Sequence, residues 1–244
     1  MNATARDRLI FALDVDRLEE AEGLIKRLAG HVGVFKVGPR LFTNAGNIVF
    51  DLIHGMGAQV FLDLKFHDIP ASVGAAAREV ARQRVKMFTV HSLGGSNMIR
   101  AVSRRLQETT VVPGAEPPLC LAVTLLTSHS KEDVAELGLD GEVVDHVSRL
   151  ARMAVGAGAR GIVASGHEVG ALKALLPEST TFVVPGIRRA TDLAQDQSRT
   201  MTAEEAMRAG ATYVVVGRPI RDAPDPAAAA DEIVEEIDRG LEGA

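Results

Sequence analysis

The sequence predicts an α/β fold, a single (β/α)8 (TIM) barrel in which residues 1–244 form one domain. Three observations carry this. Eight short runs of apolar and β-branched residues recur along the chain, a helical pattern follows each run, and polar or glycine residues gather near the carboxyl ends of the runs. Alternating strand and helix favour a parallel sheet, and eight such units in 244 residues fit a closed barrel better than an open doubly wound sheet. With 46% hydrophobic residues the chain can bury a sizeable core, and no Gly/Ser linker or low-complexity block divides it.

The elements follow in order. "RLIFALDV" reads as the first strand and precedes an amphipathic segment at 17–29; "VFKVG" precedes 41–56; "QVFLDLKF" precedes 71–84; "KMFTVHS" precedes 96–108. In the second half, "LCLAVTLLT" leads to 142–157, "GIVAS" to 168–176, "TFVVPG" to 202–209 and "TYVVVGR" to 227–239. The strand runs are short and β-branched, whereas the intervening segments are alanine-rich or carry apolar residues at helical spacing. Gly94-Gly95 reads as the start of the helix after the fourth strand. The least regular stretches are 109–118, "TTVVPGAEPP", which reads as a connector, and 186–201, "GIRRATDLAQDQSRTM", which reads as a functional loop.

Composition narrows the partners. A net charge of −5 and only 4% aromatic residues give neither the basic footprint nor the stacking surface of a nucleic-acid binder. Cys120 is the only cysteine, which excludes an intrachain disulfide and a thiolate metal cluster and fits a reducing compartment. "MNATARDRLIFALDV" lacks the long apolar core of a signal peptide, and no run approaches the roughly 18 apolar residues of a membrane helix. A cytoplasmic protein with no membrane partner is expected.

The chemistry is expected at the strand ends: Asp14, Lys36, Asp63 with Lys65, His91, Thr127 with Ser128, and Gly217 with Arg218. In a barrel these ends share the face that builds active sites. Residues i and i+2 of an extended strand point the same way, so Asp63 and Lys65 are expected to project together, with Leu62 and Leu64 facing the helices. Taken alone, such a pair reads equally well as a structural salt bridge followed by a helix-capping Asp68. Lys36 and Asp14 on neighbouring strand ends shift the reading towards catalysis.

A second constellation, "TFVVPGIR" and then "TYVVVGRPI", ends the last two strands. Glycine lets backbone approach a ligand, and Arg188 and Arg218 can donate charge-assisted bonds to phosphate where barrels commonly bind it. His67, His91 and His129 lie on separate strand ends with no HxH or HExxH spacing, so they read as structural or solvated and no metal is expected. Magnesium on Asp14, Asp63 and Asp68 is disfavoured by the neighbouring Lys36 and Lys65. Neither Ser128 nor Cys120 sits in a triad context.

"FLDLKFHDIP", with "FALDV", "FKVG", "LLTS", "PGIR" and "VVVGRP" in the same order, resembles the bacterial type of orotidine 5′-phosphate decarboxylases across nearly the whole chain. The resemblance implies decarboxylation of orotidine 5′-monophosphate to uridine 5′-monophosphate, the last step of de novo pyrimidine synthesis, without cofactor or metal. It implies Lys65 as proton donor, Asp63 against the departing carboxylate, and Lys36 and Asp68 completing the charge array. It further implies a homodimer in which Asp68 and Ser72 complete the neighbouring site. Asp14 and Lys36 would hold ribose, Thr127 and Ser128 the pyrimidine, and Arg188, Gln197, Gly217 and Arg218 the phosphate.

Two departures bear on this. "AQDQSRTM" places Gln195 where glycine is common, which affects Gln197, and Ala71-Ser72 replaces the usual asparagine-threonine while keeping a hydroxyl. The alternatives are a magnesium-dependent sugar-phosphate decarboxylase or synthase, whose relatives carry an acidic residue at the Lys36 position, and a non-catalytic phosphate-binding barrel.

Overall fold

In the computed structural model the described residues, 3–109, 117–189 and 201–243, alternate helix and strand from end to end. The first half runs α1 (Ala5–Arg8), β1 (Leu9–Ala12), α2 (Leu18–Leu28), β2 (Val34–Val37), α3 (Pro39–Ala45), α4 (Ile48–Gly55), β3 (Gln59–Phe66), α5 (Pro70–Arg82), β4 (Met87–His91), a 3-10 turn (Ser92–Gly94) and α6 (Gly95–Glu108). The second runs β5 (Leu119–Val123), α7 (Lys131–Glu136), α8 (Val143–Gly156), β6 (Gly161–Val163), α9 (Gly166–Leu175), β7 (Thr181–Val184), α10 (Ala203–Arg208), β8 (Tyr213–Val216), α11 (Arg218–Arg221) and α12 (Pro226–Glu242). The strands follow chain order around a closed barrel, the (β/α)8 architecture that the alternation predicts. Residues 1–64 with 183–244 make one compact unit, and residues 65–182 make another.

In the first unit β1 pairs in parallel with β2 and β8, setting Phe11 opposite Phe35 and Val216. Lys36 lies opposite Phe61 on β3, and Val184 of β7 opposite Val214 of β8. These strands read as near-continuous apolar runs because both of their faces are covered. Leu9, Ile10, Phe11, Val34 and Phe35 are fully buried, and the Phe11 and Phe35 rings meet edge-on at 6.1 Å. Asp225 caps α12 through the Ala227 and Ala228 amides, and Pro226 occupies the first turn, where no amide is needed. Further along, a Cβ at Gly240 would lie 2.6 Å from Met207 Cβ, so only glycine lets α12 approach α10 this closely.

In the second unit β5 pairs in parallel with β4 and β6, with Thr89 opposite Leu121 and Val123 opposite Val163. α6 packs against α5 and α8. Met98, Ile99, Val102 and Leu106 form its buried stripe.

The observed elements differ from the sequence reading in instructive places. The segment at 41–56 is two helices, because Gly46 adopts φ 58 and turns the chain between α3 and α4. α1 and α7 are not evident from periodicity, being four and six residues long. Their signal is the capping box, Thr4 with Asp7 and Ser130 with Asp133. Gly95 does begin the helix after β4. Among the described residues no helix is long and apolar enough to cross a membrane.

Candidate active site

Lys36 organises the first unit's polar cluster. It is the next-to-last residue of β2, and its Nζ lies 3.2 Å from Asp14 Oδ1 and 3.7 Å from Asp63 Oδ2. The side chains of Lys36 and Asp63 keep only 12% and 14% of their exposure, against 50% for Asp14. Two charges so far withdrawn from water persist only if each faces an opposite charge, which this geometry supplies.

Two glycines border this cluster. A Cβ at Gly38 would come within 3.5 Å of Lys36 Nζ, and one at Gly217 within 3.8 Å of Asp14 Oδ2. Gly217, directly after β8, therefore lies beside Asp14, two residues past the end of β1.

Two arginines that the sequence reading does not single out brace Asp14. Its carbonyl accepts from Arg40 Nη1 at 3.2 Å and from Arg221 Nη1 at 3.1 Å. Arg40 is bidentate to Asp16 and Arg221 to Asp222. Hydrogen bonding to these guanidiniums holds the Asp16 and Asp222 carboxyls below the usual aspartate range. The available signal was positional: Arg40 follows the Gly38-Pro39 turn, and Arg221 ends "RPIR".

Arg188 follows β7. Its amide donates to the Met201 carbonyl at 3.0 Å, and its half-buried guanidinium donates to the Ile187 carbonyl at 3.0 Å. Arg218 is exposed and opens α11 directly after Gly217. Gln195 and Gln197 lie outside the described residues.

The second unit holds Lys65, whose φ of 49 places it in the left-handed region. A β-carbon crowds the following carbonyl there, at a cost of about 1–2 kcal/mol. Lys65 is nevertheless part of β3, which runs to Phe66. The Lys65 amide donates to Thr89 Oγ1 at 2.9 Å.

Asp68 Oδ1 accepts from the Ile69 amide at 2.6 Å. Ile69 is the N-cap residue of α5 and makes no side-chain cap, so Asp68 braces the helix entry without capping it in the usual way. Ser72 is exposed in the first turn of α5, its amide bonded to the Ile69 carbonyl at 3.0 Å. Thr127 and Ser128 are exposed in a turn closed by the His129 amide on the Leu126 carbonyl, 2.9 Å.

The His67 and His91 rings stack at 5.6 Å with an interplanar angle of 20°. His91 Nδ1 accepts from the Leu93 amide at 3.3 Å. Burial first, then the neighbouring His67, His129 and Lys65, lower the His91 pKa and favour the neutral ring. Among the described residues no three His, Cys, Asp or Glu side chains are grouped as a metal site requires.

Asp14, Lys36, Asp63 and Gly217 thus meet within the first unit; Lys65, Asp68, Ser72, Thr127 and Ser128 belong to the second, on β3, the α5 entry and the turn after β5.

Residues 7–233 match the family model described as orotidine 5′-phosphate decarboxylase / HUMPS family. The chain is 47% identical over 242 residues to an orotidine 5′-phosphate decarboxylase of Syntrophotalea carbinolica, covering 99% of each chain. It is 48% identical over 238 residues to one of Heliobacterium modesticaldum, covering 97% of this chain and 98% of the relative. The crystal structure of orotidine 5′-phosphate decarboxylase from Lactobacillus acidophilus superposes with a TM-score of 0.82 at 37% identity, covering 94% of this chain and 98% of that one. With the match running through β1 to β8 and through every strand end described above, this chain belongs to the orotidine 5′-phosphate decarboxylase / HUMPS family.

Proposed function

We propose that this chain, acting as one barrel domain in the cytoplasm, decarboxylates orotidine 5′-monophosphate to uridine 5′-monophosphate and carbon dioxide in pyrimidine biosynthesis. The observation that carries the reading is Lys36 held between Asp14 and Asp63 at 3.2 and 3.7 Å, in a chain 47% identical to a named decarboxylase along its full length. A relative with an acidic residue at position 36 would have no ammonium there to offset the two carboxylates.

The bond from C6 of the pyrimidine to the carboxylate breaks, carbon dioxide leaves, and the electron pair stays on C6. The Lys65 ammonium stabilises that developing charge and donates its proton to C6; the resulting amine regains a proton from solvent. Asp63 lies against the departing carboxylate. Lys36 and Asp14 hold the ribose hydroxyls, and Thr127 and Ser128 meet the pyrimidine.

Arg188, Gln197, Gly217 and Arg218 take the phosphate, whose binding energy is drawn on to organise the transition state. Asp68 and Ser72 serve the neighbouring subunit of a homodimer. Supporting this, Ile69 between them is 66% exposed, the most of any large apolar side chain among the described residues.

The test is loss of ultraviolet absorbance when purified protein meets orotidine 5′-monophosphate, with and without excess EDTA. Turnover in both conditions is expected. No turnover, or turnover abolished by EDTA and restored by magnesium, overturns the proposal.

A further inference from the structure

We infer that Thr89 is a positioning residue for the reaction, acting through the backbone of Lys65; the inference rests on the proton-donor role proposed for Lys65.

Lys65 lies in the left-handed region, with φ 49 at the carboxyl end of β3. Glycine visits that region freely, whereas a lysine stays there only if its surroundings hold it. Since the direction in which a side chain leaves the backbone follows from φ and ψ, whatever fixes this conformation also aims the ammonium. The Lys65 amide donates to Thr89 Oγ1 at 2.9 Å, a near-ideal distance for an N–H to oxygen bond.

Thr89 is fully buried in the middle of β4, flanked by the buried Phe88 and Val90 and opposite Leu121 of β5. Valine would serve the strand equally in shape and β-propensity and would bury no hydroxyl. A hydroxyl at this place therefore has a use other than packing, and accepting the Lys65 amide is one such use. Threonine suits it further because its branched Cβ restricts χ1 and keeps the acceptor oxygen fixed.

Two pairs of variants isolate the oxygen. Thr89→Val replaces it with a methyl group, and Thr89→Ala differs from Thr89→Ser by the hydroxyl alone. With orotidine 5′-monophosphate as substrate, Thr89→Val and Thr89→Ala are expected to lower kcat about 100-fold with KM changed little, the size of loss that follows a misplacement near 1 Å. Thr89→Ser is expected to stay within a few-fold of wild type, although it loses a buried methyl and unfolds at a lower temperature. Hydrogen exchange at the Lys65 amide is expected to speed up in the first two variants and not in Thr89→Ser.

A purely structural role predicts the opposite pattern, with turnover per folded molecule unchanged and thermal stability following side-chain volume. Should Thr89→Val fail to fold, the Ser and Ala variants decide. Equal kcat in those two, with Lys65→Ala inert, overturns the Thr89 inference and leaves the proposed function standing. A fully active Lys65→Ala overturns both.

Discussion

His91 shows how burial sets the state of a single residue. Its ring is packed on His67 and accepts from the Leu93 amide, and its pKa is lowered below the ordinary 6.5. In the unfolded chain the imidazole takes up its proton as pH falls through about 6.5, while the folded ring resists protonation until lower pH. Unfolded molecules then bind more protons, so stability is retained above that value and lost as pH falls towards the lowered one. The urea midpoint of wild type should drop between about pH 7.5 and 5.5, and His91→Gln should drop less. Parallel declines in the two proteins would show that His91 does not contribute to the loss. Cys120 illustrates the same physics for a thiol: fully desolvated in β5, it is pushed up to about 12 and stays protonated.

At the level of elements, the phosphate contacts proposed for Arg188, Gly217 and Arg218 fall after β7 and β8. Arg218 opens α11 in solvent and contributes little to the core, so the role proposed for it, holding phosphate, can be tested apart from stability. Arg218→Ala should therefore weaken orotidine 5′-monophosphate by about 10-fold or more, the worth of one charge-assisted bond, while affinity for unphosphorylated orotidine stays nearly constant. Equal losses for both ligands would indicate general damage to the loop.

Strands and long helices were legible in the sequence because burial on both faces writes apolar runs, as in Leu9–Ala12, and one-sided burial writes stripes, as in α6. Lys36 with Asp14 and Asp63 was legible too, since charged residues at strand ends stand out from such runs. The left-handed turn at Lys65 was not, because lysine carries no signal for positive φ. The bracing of Asp14 by Arg40 and Arg221 was hidden for another reason: it joins residues 26 and 207 positions apart, and only the closed chain brings them together.

The whole molecule raises the question of where Asp68 acts. If Asp68 and Ser72 complete the site of a second copy, a heterodimer of Lys65→Ala and Asp68→Asn contains one intact site and one carrying both defects. Mixing the two inactive proteins should then restore activity with the time course of subunit exchange, towards about a quarter of wild type for a statistical mixture. Demonstrated heterodimers without recovery would assign Asp68 to its own chain.

The measurement that bears most directly on the proposed chemistry is orotidine 5′-monophosphate turnover by Lys65→Ala beside wild type, with uridine 5′-monophosphate affinity measured on both. Wild type is expected to turn over, and the variant to lose at least about 10³-fold in kcat while product affinity changes far less, since the proton is needed in the transition state. Turnover by Lys65→Ala at the wild-type rate would contradict the account.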